Sequence, residues 1–172
     1  LCVVLSLPAV LEKVPPRQIS RRFSLAVLPG REFLREDFSE KLGGLGYTRV
    51  NVVAQMGEFA VRGYVVDVFS PAAPHPLRIE FFGDSVESVR TFDPDTQRST
   101  QDLENAVILP VKEVLFFPEF QENTAAKLKK KLEEEGALRE AVQEILEKIR
   151  EGISFGGVDN YLPLFYPSLE SF

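Results

Sequence analysis

The strongest structural signal in the chain lies between positions 58 and 99. In residues 77–82, apolar and polar side chains alternate, which is typical of a strand with one buried face. The alternation predicts two sets that face opposite ways, a core set of Leu77, Ile79 and Phe81, and a polar set of Arg78, Glu80 and Phe82.

A tight hairpin is predicted directly after this strand. Gly83 occupies the first central position of a two-residue turn, where a type II′ hairpin needs a positive φ. The resulting register places Phe82 opposite Ser85, Phe81 opposite Val86 and Arg78 opposite Val89. Phe82 is then a large aromatic beside an Arg on a polar face, and both residue types are enriched among interface hot spots. The alternative is that a loop or helix of the same chain covers Phe82.

Two more strands are predicted just upstream, at 59–61 and 65–69, joined around Arg62 and Gly63. A glycine inside a strand pattern predicts a bulge or bend, which turns Arg62 away from a regular ladder. Taken alone, Arg62 also fits a solvated charge on an edge strand. Asp67 lies between two valines, and because an unpaired buried carboxylate is costly we expect an Arg partner. With a strand at 48–53, this part predicts an antiparallel sheet of about four or five strands, and 107–109 is predicted to be the last strand of that sheet.

The N-terminal part has patterns typical of both strands and helices. They predict a buried strand at 2–5, a helix at 7–14 ended by Pro15-Pro16, a strand at 23–27 and a turn at 28–30. Leu34, Phe38 and Leu42 recur at helical spacing before a run of glycines, which predicts a helix over 34–42.

The C-terminal part is predicted to be helical. Apolar residues recur at helical spacing on both sides of Gly136, from 125 to 132 and from 138 to 149. The pattern indicates two helices, or one helix broken at Gly136. The tail after 155 is rich in aromatic residues, and its segment 161–166 is expected to pack against the elements of 2–27.

The charge balance narrows the class of partner. Twenty basic and 26 acidic residues give a net charge of −6 and a pI near 5.0. Non-specific nucleic-acid binding needs clustered cations, so the balance argues against it. The arginines at 17, 21, 22, 31 and 35 have acids among them and favour a solvated face over a phosphate site.

The single cysteine and the absence of a long apolar run indicate in which cellular compartment the chain is expected. Cys2 alone cannot form an internal disulfide, which is consistent with a reducing cytoplasm. No apolar run of membrane-spanning length and no signal peptide is seen. Because the chain begins in mid-pattern without Met, we expect a fragment of a longer protein.

Familiar catalytic and metal motifs are missing from the sequence. There is no G-x-x-x-x-G-K-[ST] loop, and the only His, His75, lies between two prolines in a predicted loop. Asp93 and Asp95 suggest an Asx turn, because the further ligands of a calcium loop are absent. We therefore expect no catalytic residue, no metal and no cofactor in this chain.

Several motifs occur in a fixed order along the chain. They are GYTRV (46–50), GEFAVRGYVVDVFSP (57–71), PLRIEFFGDSVESVRTFDPDTQRS (76–99), LPVKE (109–113) and YLPLFY (161–166). Together they resemble the amino-terminal, UvrB-like module of the bacterial transcription-repair coupling factors, the Mfd family. The likeness is strongest over 46–113. The excision-repair protein UvrB shares the RG strand and the IEFFGD hairpin, but TQRS and YLPLFY favour the coupling factors.

The resemblance implies a fold and a docking site. The implied fold is α+β, a small antiparallel β-sheet module with a covering helix over 24–111, flanked at 1–23 and 112–172 by helical and α/β pieces of a split UvrB-like domain. The implied partner is UvrA, and the positions that match the family's contact motif are Arg62, Arg78 and Phe82. Tyr64 departs from the small residue of relatives, which bears on the local bend at Arg62.

The resemblance also implies what surrounds this chain. The parent is expected to be an ATP-dependent DNA translocase, with ATP and Mg in motor domains outside this chain and with RNA polymerase and DNA contacted through other domains. The chain itself is expected to be non-catalytic, monomeric and cytoplasmic, and to recruit nucleotide-excision repair to stalled polymerase. Two other hypotheses stay open, a nucleic-acid-contacting domain and an autoinhibitory scaffold whose docking face is masked in the full-length protein.

Overall fold

The structure is a computed structural model that describes residues 13–71, 73–116, 118–166 and 168–171. The predicted strand at 2–5 and most of the predicted helix at 7–14 lie outside the described residues. The end of that helix prediction is wrong, because Lys13–Val14 forms strand β1 and pairs with β10 (Glu170–Ser171). Val14 precedes a proline, which disfavours helical backbone at that position.

The chain divides into two compact units. One is Ser20–Lys112, and the other combines the residues before Ser20 with those from Glu113 onward. The predicted β-rich module, 24–111, lies within the first of these units. The assignment of the flanking residues to one split UvrB-like domain stays a prediction.

Among the described residues, a six-stranded sheet forms the body of the first unit. Its strands, in spatial and chain order alike, are β3 (Thr48–Arg49), β4 (Glu58–Arg62), β5 (Val65–Val68), β6 (Leu77–Phe82), β7 (Ser85–Phe92) and β8 (Ser99–Asp102). Neighbouring strands are antiparallel, except that β3 and β4 are parallel. The predicted α+β class is confirmed.

Two strand predictions need correction, and one strand was not predicted. The strand predicted at 48–53 ends at Arg49. Strand β8 was not predicted, because its four residues are exposed and none is apolar. The strand near 107 is not the last strand of the main sheet. It is β9 (Ala106–Ile108), which pairs in a separate sheet with β2 (Leu25–Val27), where each strand buries an apolar side chain.

A helix covers the apolar face of the sheet, as predicted. Helix α1 (Arg17–Arg22) precedes β2, and α2 (Arg35–Gly44) is the covering helix. The fully buried Phe38 of α2 meets Phe81 of β6 edge-on, with ring centroids 5.6 Å apart. Leu34 was expected in the same buried stripe but is exposed, because it has extended backbone one position before the helix begins.

The β6–β7 hairpin has the predicted turn and a register that shifts. Gly83 has φ +61°, and Phe82 pairs with Ser85 as expected. Beyond Phe81 the register moves by one residue, so Arg78 lies opposite Arg90 and not opposite Val89. Val86 and Val89 are both buried although their spacing is odd, and only a bulge between them allows both to face the core.

Gly63 lies where the two strands were predicted to join, but its role differs from the predicted bulge. Gly63 and Tyr64 form the turn that joins β4 to β5, and Gly63 has φ +59°. The glycine therefore serves a hairpin turn and not a bulge. Arg62 is not turned away from the ladder, because it pairs regularly with Val65.

The second unit is mainly helical. Helices α3 (Pro118–Glu134) and α4 (Arg139–Arg150) lie on either side of Gly136, as predicted, followed by a 3₁₀ turn at Val158–Tyr161 and by α5 (Leu162–Phe165). The 161–166 segment packs against the helices of this unit, since Leu162 and Phe165 share a buried cluster with Leu128 of α3. Ile19 packs against this cluster, while residues 2–12 lie outside the described part. None of the described helices is long and apolar enough to cross a membrane.

Candidate functional site

The sheet face opposite α2 carries a set of mainly charged side chains, here called the polar face. Strand alternation and the β7 bulge place these residues on one side of strands β4 to β8. The polar face consists of Arg62, Asp67, Arg78, Glu80, Phe82, Ser88, Arg90 and Asp102.

Asp67 is the anchor of the polar face. Its side chain is fully buried, and Arg78 donates two hydrogen bonds to it, from Nε to Oδ1 at 2.8 Å and from Nη2 to Oδ2 at 3.0 Å. Nη2 of Arg62 also donates to Oδ2. The predicted Arg partner for Asp67 is confirmed, and the carboxylate holds two arginines at once. Such charge-assisted pairs fix side-chain geometry.

The Arg78 side chain is mostly buried, and its donors bind groups of the same chain. Only 14% of its side chain is exposed. Nη1 donates to the carbonyl of Gln97 at 3.0 Å, and the guanidinium lies 4.7 Å from the ring centroid of Phe92. Hydrogen bonding to Asp67 raises the pKa of Arg78. An Arg78 substitution is therefore expected to destabilise the fold, since it removes a partner from a buried carboxylate.

A second charge cluster connects strands β6, β7 and β8. Arg90 donates to Glu80 Oε2 at 2.9 Å and to Asp102 Oδ1 at 3.1 Å. Ser88 Oγ donates to the same oxygen of Glu80 at 2.8 Å. These contacts leave Arg62, whose side chain is 44% exposed, as a more accessible arginine of the polar face than Arg78 or Arg90.

Phe82 projects from the end of β6. It is 79% exposed, so the described residues do not provide the cover that the alternative hypothesis required. The structure joins Arg62 and Arg78 through Asp67 and places Phe82 on the same face, further along the strand that carries Arg78. The partner-binding roles assigned to these three residues stay predictions.

A basic cavity beside Arg62 was not found by sequence reasoning. It has a volume of about 430 Å³ and is lined by Arg49, Val50, Asn51, Val61 and Arg62. The two arginines come together only through the parallel pairing of β3 with β4. Periodicity along a single strand carries no signal for such pairing.

The remaining sequence candidates have structural explanations. Asp93 Oδ1 accepts hydrogen bonds from the backbone N–H groups of Thr96 and Asp95, at 2.8 and 3.0 Å, which is the predicted Asx turn. These bonds, first that of Thr96, lower the pKa of Asp93. His75 is exposed in a loop. Within the described residues, no three His, Cys, Asp or Glu side chains are grouped to hold a metal ion.

Comparison with known proteins identifies the family to which the chain belongs. Residues 25–114 match the family model described as the UvrB interaction domain. The chain belongs to this family. All three site candidates, Arg62, Arg78 and Phe82, fall within the matched segment. The resemblance noted from the motifs is confirmed.

The curated relatives are transcription-repair-coupling factors. The chain is 34% identical over 164 residues to that of Myxococcus xanthus, 32% over 166 residues to that of Mycobacterium tuberculosis and 29% over 174 residues to that of Bacillus subtilis. Each alignment covers 95% of this chain but only 14%, 13% and 15% of the respective relative. The chain thus spans about one seventh of the length of the Myxococcus relative.

Proposed function

We propose that this chain is the UvrA-docking module of a transcription-repair coupling factor and recruits nucleotide-excision repair to stalled RNA polymerase. The observation that carries the proposal is Phe82, a large aromatic left 79% exposed beside a polar sheet face in the family-matched segment. Burying such a ring in a partner's pocket is favourable, and aromatic anchors dominate interface energies.

Arg62 supports the proposal as an accessible cation. Asp67 holds its Nη2, while 44% of the side chain stays exposed. A guanidinium has five N–H donors, so donors remain for a carboxylate of the partner. Because the ion pair already restricts the side chain, docking costs less conformational entropy than for a free arginine.

Arg78 acts in this proposal as a positioning residue. Its donors are directed at Asp67 and at the Gln97 carbonyl, and little of its surface is open. It fixes the carboxylate that in turn holds Arg62. Binding therefore depends on Arg78 through the geometry of Asp67 and Arg62.

The charge pattern favours a protein partner over nucleic acid. In the described polar face the charges balance, with three cations and three anions, namely Arg62, Arg78, Arg90, Asp67, Glu80 and Asp102. Salt-dependent nucleic-acid binding needs unpaired cations that displace counterions. Paired charges of both signs are instead suited to specific contact with a protein surface.

The proposal is tested by calorimetric titration of the 172-residue chain with purified UvrA. Phe82→Ala is expected to weaken binding by about 2–4 kcal/mol, the range of hot-spot truncations. Leu138→Ala is the matched control, because Leu138 is equally exposed at 79% but lies in the other unit. The control is expected to bind like the parent.

Two outcomes refute the proposal. If the folded parent does not bind UvrA, the hypothesis of an autoinhibitory scaffold in the intact protein is favoured instead. If the chain instead binds duplex DNA at micromolar concentration and loses affinity steeply with salt, the nucleic-acid hypothesis is favoured.

The rest of the parent protein completes the proposed role. In the proposed arrangement, motor domains outside this chain bind ATP and Mg and translocate DNA, and other domains contact RNA polymerase. The chain works as a monomeric adaptor in the cytoplasm. Its family and its transcription-repair-coupling relatives support this placement.

A further inference from the structure

A second exposed apolar group lies at the turns that adjoin Phe82. Leu34, just before α2, is 57% exposed, and Tyr64, in the β4–β5 turn, is 66% exposed. Both line a cavity of about 340 Å³ together with Gly83 and Asp84 of the β6–β7 turn and with Glu36 and Asp37 of α2. We call this cavity the hairpin-tip groove.

Backbone hydrogen bonds hold the walls of the hairpin-tip groove together. The N–H of Phe33 donates to the carbonyl of Asp84 at 2.7 Å, which fixes the entry to α2 against the β6–β7 turn. The N–H of Phe81 donates to the carbonyl of Tyr64 at 2.8 Å, which fixes the β4–β5 turn against β6. The groove is therefore preformed, and a ligand does not have to order its walls.

The groove is acidic. Glu36, Asp37 and Asp84 are exposed, and among the described side chains none forms an ion pair with them. Two nearby cations are engaged at the ring of Phe33, where the guanidinium of Arg31 lies 4.8 Å and the ammonium of Lys41 5.6 Å from its centroid. Arg31 also donates to the carbonyl of Ala26 at 2.7 Å.

We propose that the hairpin-tip groove binds a cationic side chain of the docking partner, an arginine with an apolar neighbour. The carboxylates pair with the guanidinium, Tyr64 supplies an aromatic surface beside it, and Leu34 contacts the apolar neighbour. Gly83 and Asp84 follow Phe82 directly, so the groove continues the docking surface around the end of the sheet. The inference rests on the proposed UvrA docking and adds the chemistry of a second contact.

Charge reversal in the groove tests the proposal. UvrA is titrated with the parent chain, with Asp84→Lys and with the double variant Glu36→Lys/Asp37→Lys. Each change places a cation against the partner's cation, and we expect at least about a tenfold loss of affinity. Asp84→Asn, which keeps the turn residue polar, is expected to lose less. Glu104→Lys is the matched control, because Glu104 is exposed in the same unit away from the groove.

Salt dependence and folding separate the direct effect from a structural one. Parent affinity is expected to fall with salt, and the charge-reversed variants are expected to show a flatter dependence, because they have lost an attractive charge pair. Thermal unfolding of every variant checks that the chain is folded. Tyr64→Ala, which leaves all groove charges in place, is expected to speed dissociation.

The outcomes distinguish this inference from the docking proposal. Loss of binding by Phe82→Ala with parent-like binding by Asp84→Lys and by the double variant overturns the groove and leaves docking intact. Tighter binding by the charge-reversed variants also overturns it, since the partner group is then anionic. No binding by the folded parent overturns both.

Discussion

Arg78 and Arg90 lie directly opposite each other on β6 and β7. Like charges at opposed sheet positions are destabilising. Here each guanidinium is neutralised by different carboxylates, Arg78 by Asp67 and Arg90 by Glu80 and Asp102. The bulge that keeps the valines of β7 in the core thus requires this network on the other face.

Arg78→Ala is expected to lower the free energy of unfolding by about 2–4 kcal/mol, since it takes one partner from a fully buried carboxylate. Urea denaturation followed by circular dichroism measures this change. Binding data for this variant must be read together with its stability.

Arg62→Ala is the comparison for that prediction. Arg62 shares Asp67 but is half-exposed, so its removal is expected to cost about 1 kcal/mol or less. Equal destabilisation by the two variants would contradict the assignment of Arg78 as the main buried partner of Asp67.

Phe81 and Phe82 form a matched pair of adjacent rings on opposite faces. Phe81→Ala is expected to cost about 3–5 kcal/mol of stability, because the ring is buried against Phe38. Phe82→Ala is expected to change stability by about 0.5 kcal/mol or less, because the ring is exposed. Thermal or urea unfolding distinguishes them, and a large loss for Phe82→Ala would show that this ring is covered in solution.

The local alternation of residues 77–82 was sufficient to predict which side chains of β6 face the core. It was not sufficient to predict the partner of Arg78, because register depends on a bulge in the neighbouring strand. Nor did it show that the 93–98 turn brings the Gln97 carbonyl onto Arg78. The pattern of a strand indicates which face of the sheet a residue is on. How exposed that residue is depends on segments from elsewhere in the chain that pack against the same face.

The candidate site was found from the sequence only in part. The family motif supplied Arg62, Arg78 and Phe82, and an exposed aromatic on a polar face had an independent signal. The basic cavity at Arg49 and the groove at Tyr64 had none, because their residues come from segments that are distant along the chain. Their charges are ordinary surface charges until the sheet brings them together.

Tyr47 is expected to make stability fall in alkali. Burial raises its pKa to about 12 from 10.0, and its hydroxyl donates to the Leu109 carbonyl at 2.7 Å. The unfolded chain therefore loses this proton before the folded one, so the contribution is full below pH 10 and is lost as pH rises towards 12. Urea midpoints measured across that interval should decline less for Tyr47→Phe than for the parent. Identical slopes would mean that the phenol is not shielded.

Asp93 is expected to make stability fall in acid, in contrast to Tyr47. Hydrogen bonds in the Asx turn, chiefly from Thr96, lower its pKa below the ordinary 3.8, so the unfolded state takes up the proton first. The stabilisation is present above pH 3.8 and is lost as pH falls through the folded pKa. Asp93→Asn keeps an oxygen acceptor for the turn but cannot ionise. The parent is therefore expected to exceed Asp93→Asn in stability at neutral pH and to converge with it in acid, as measured by urea midpoints at a series of pH values. A stability difference that stays constant down to low pH would show that the carboxylate charge contributes nothing to this turn.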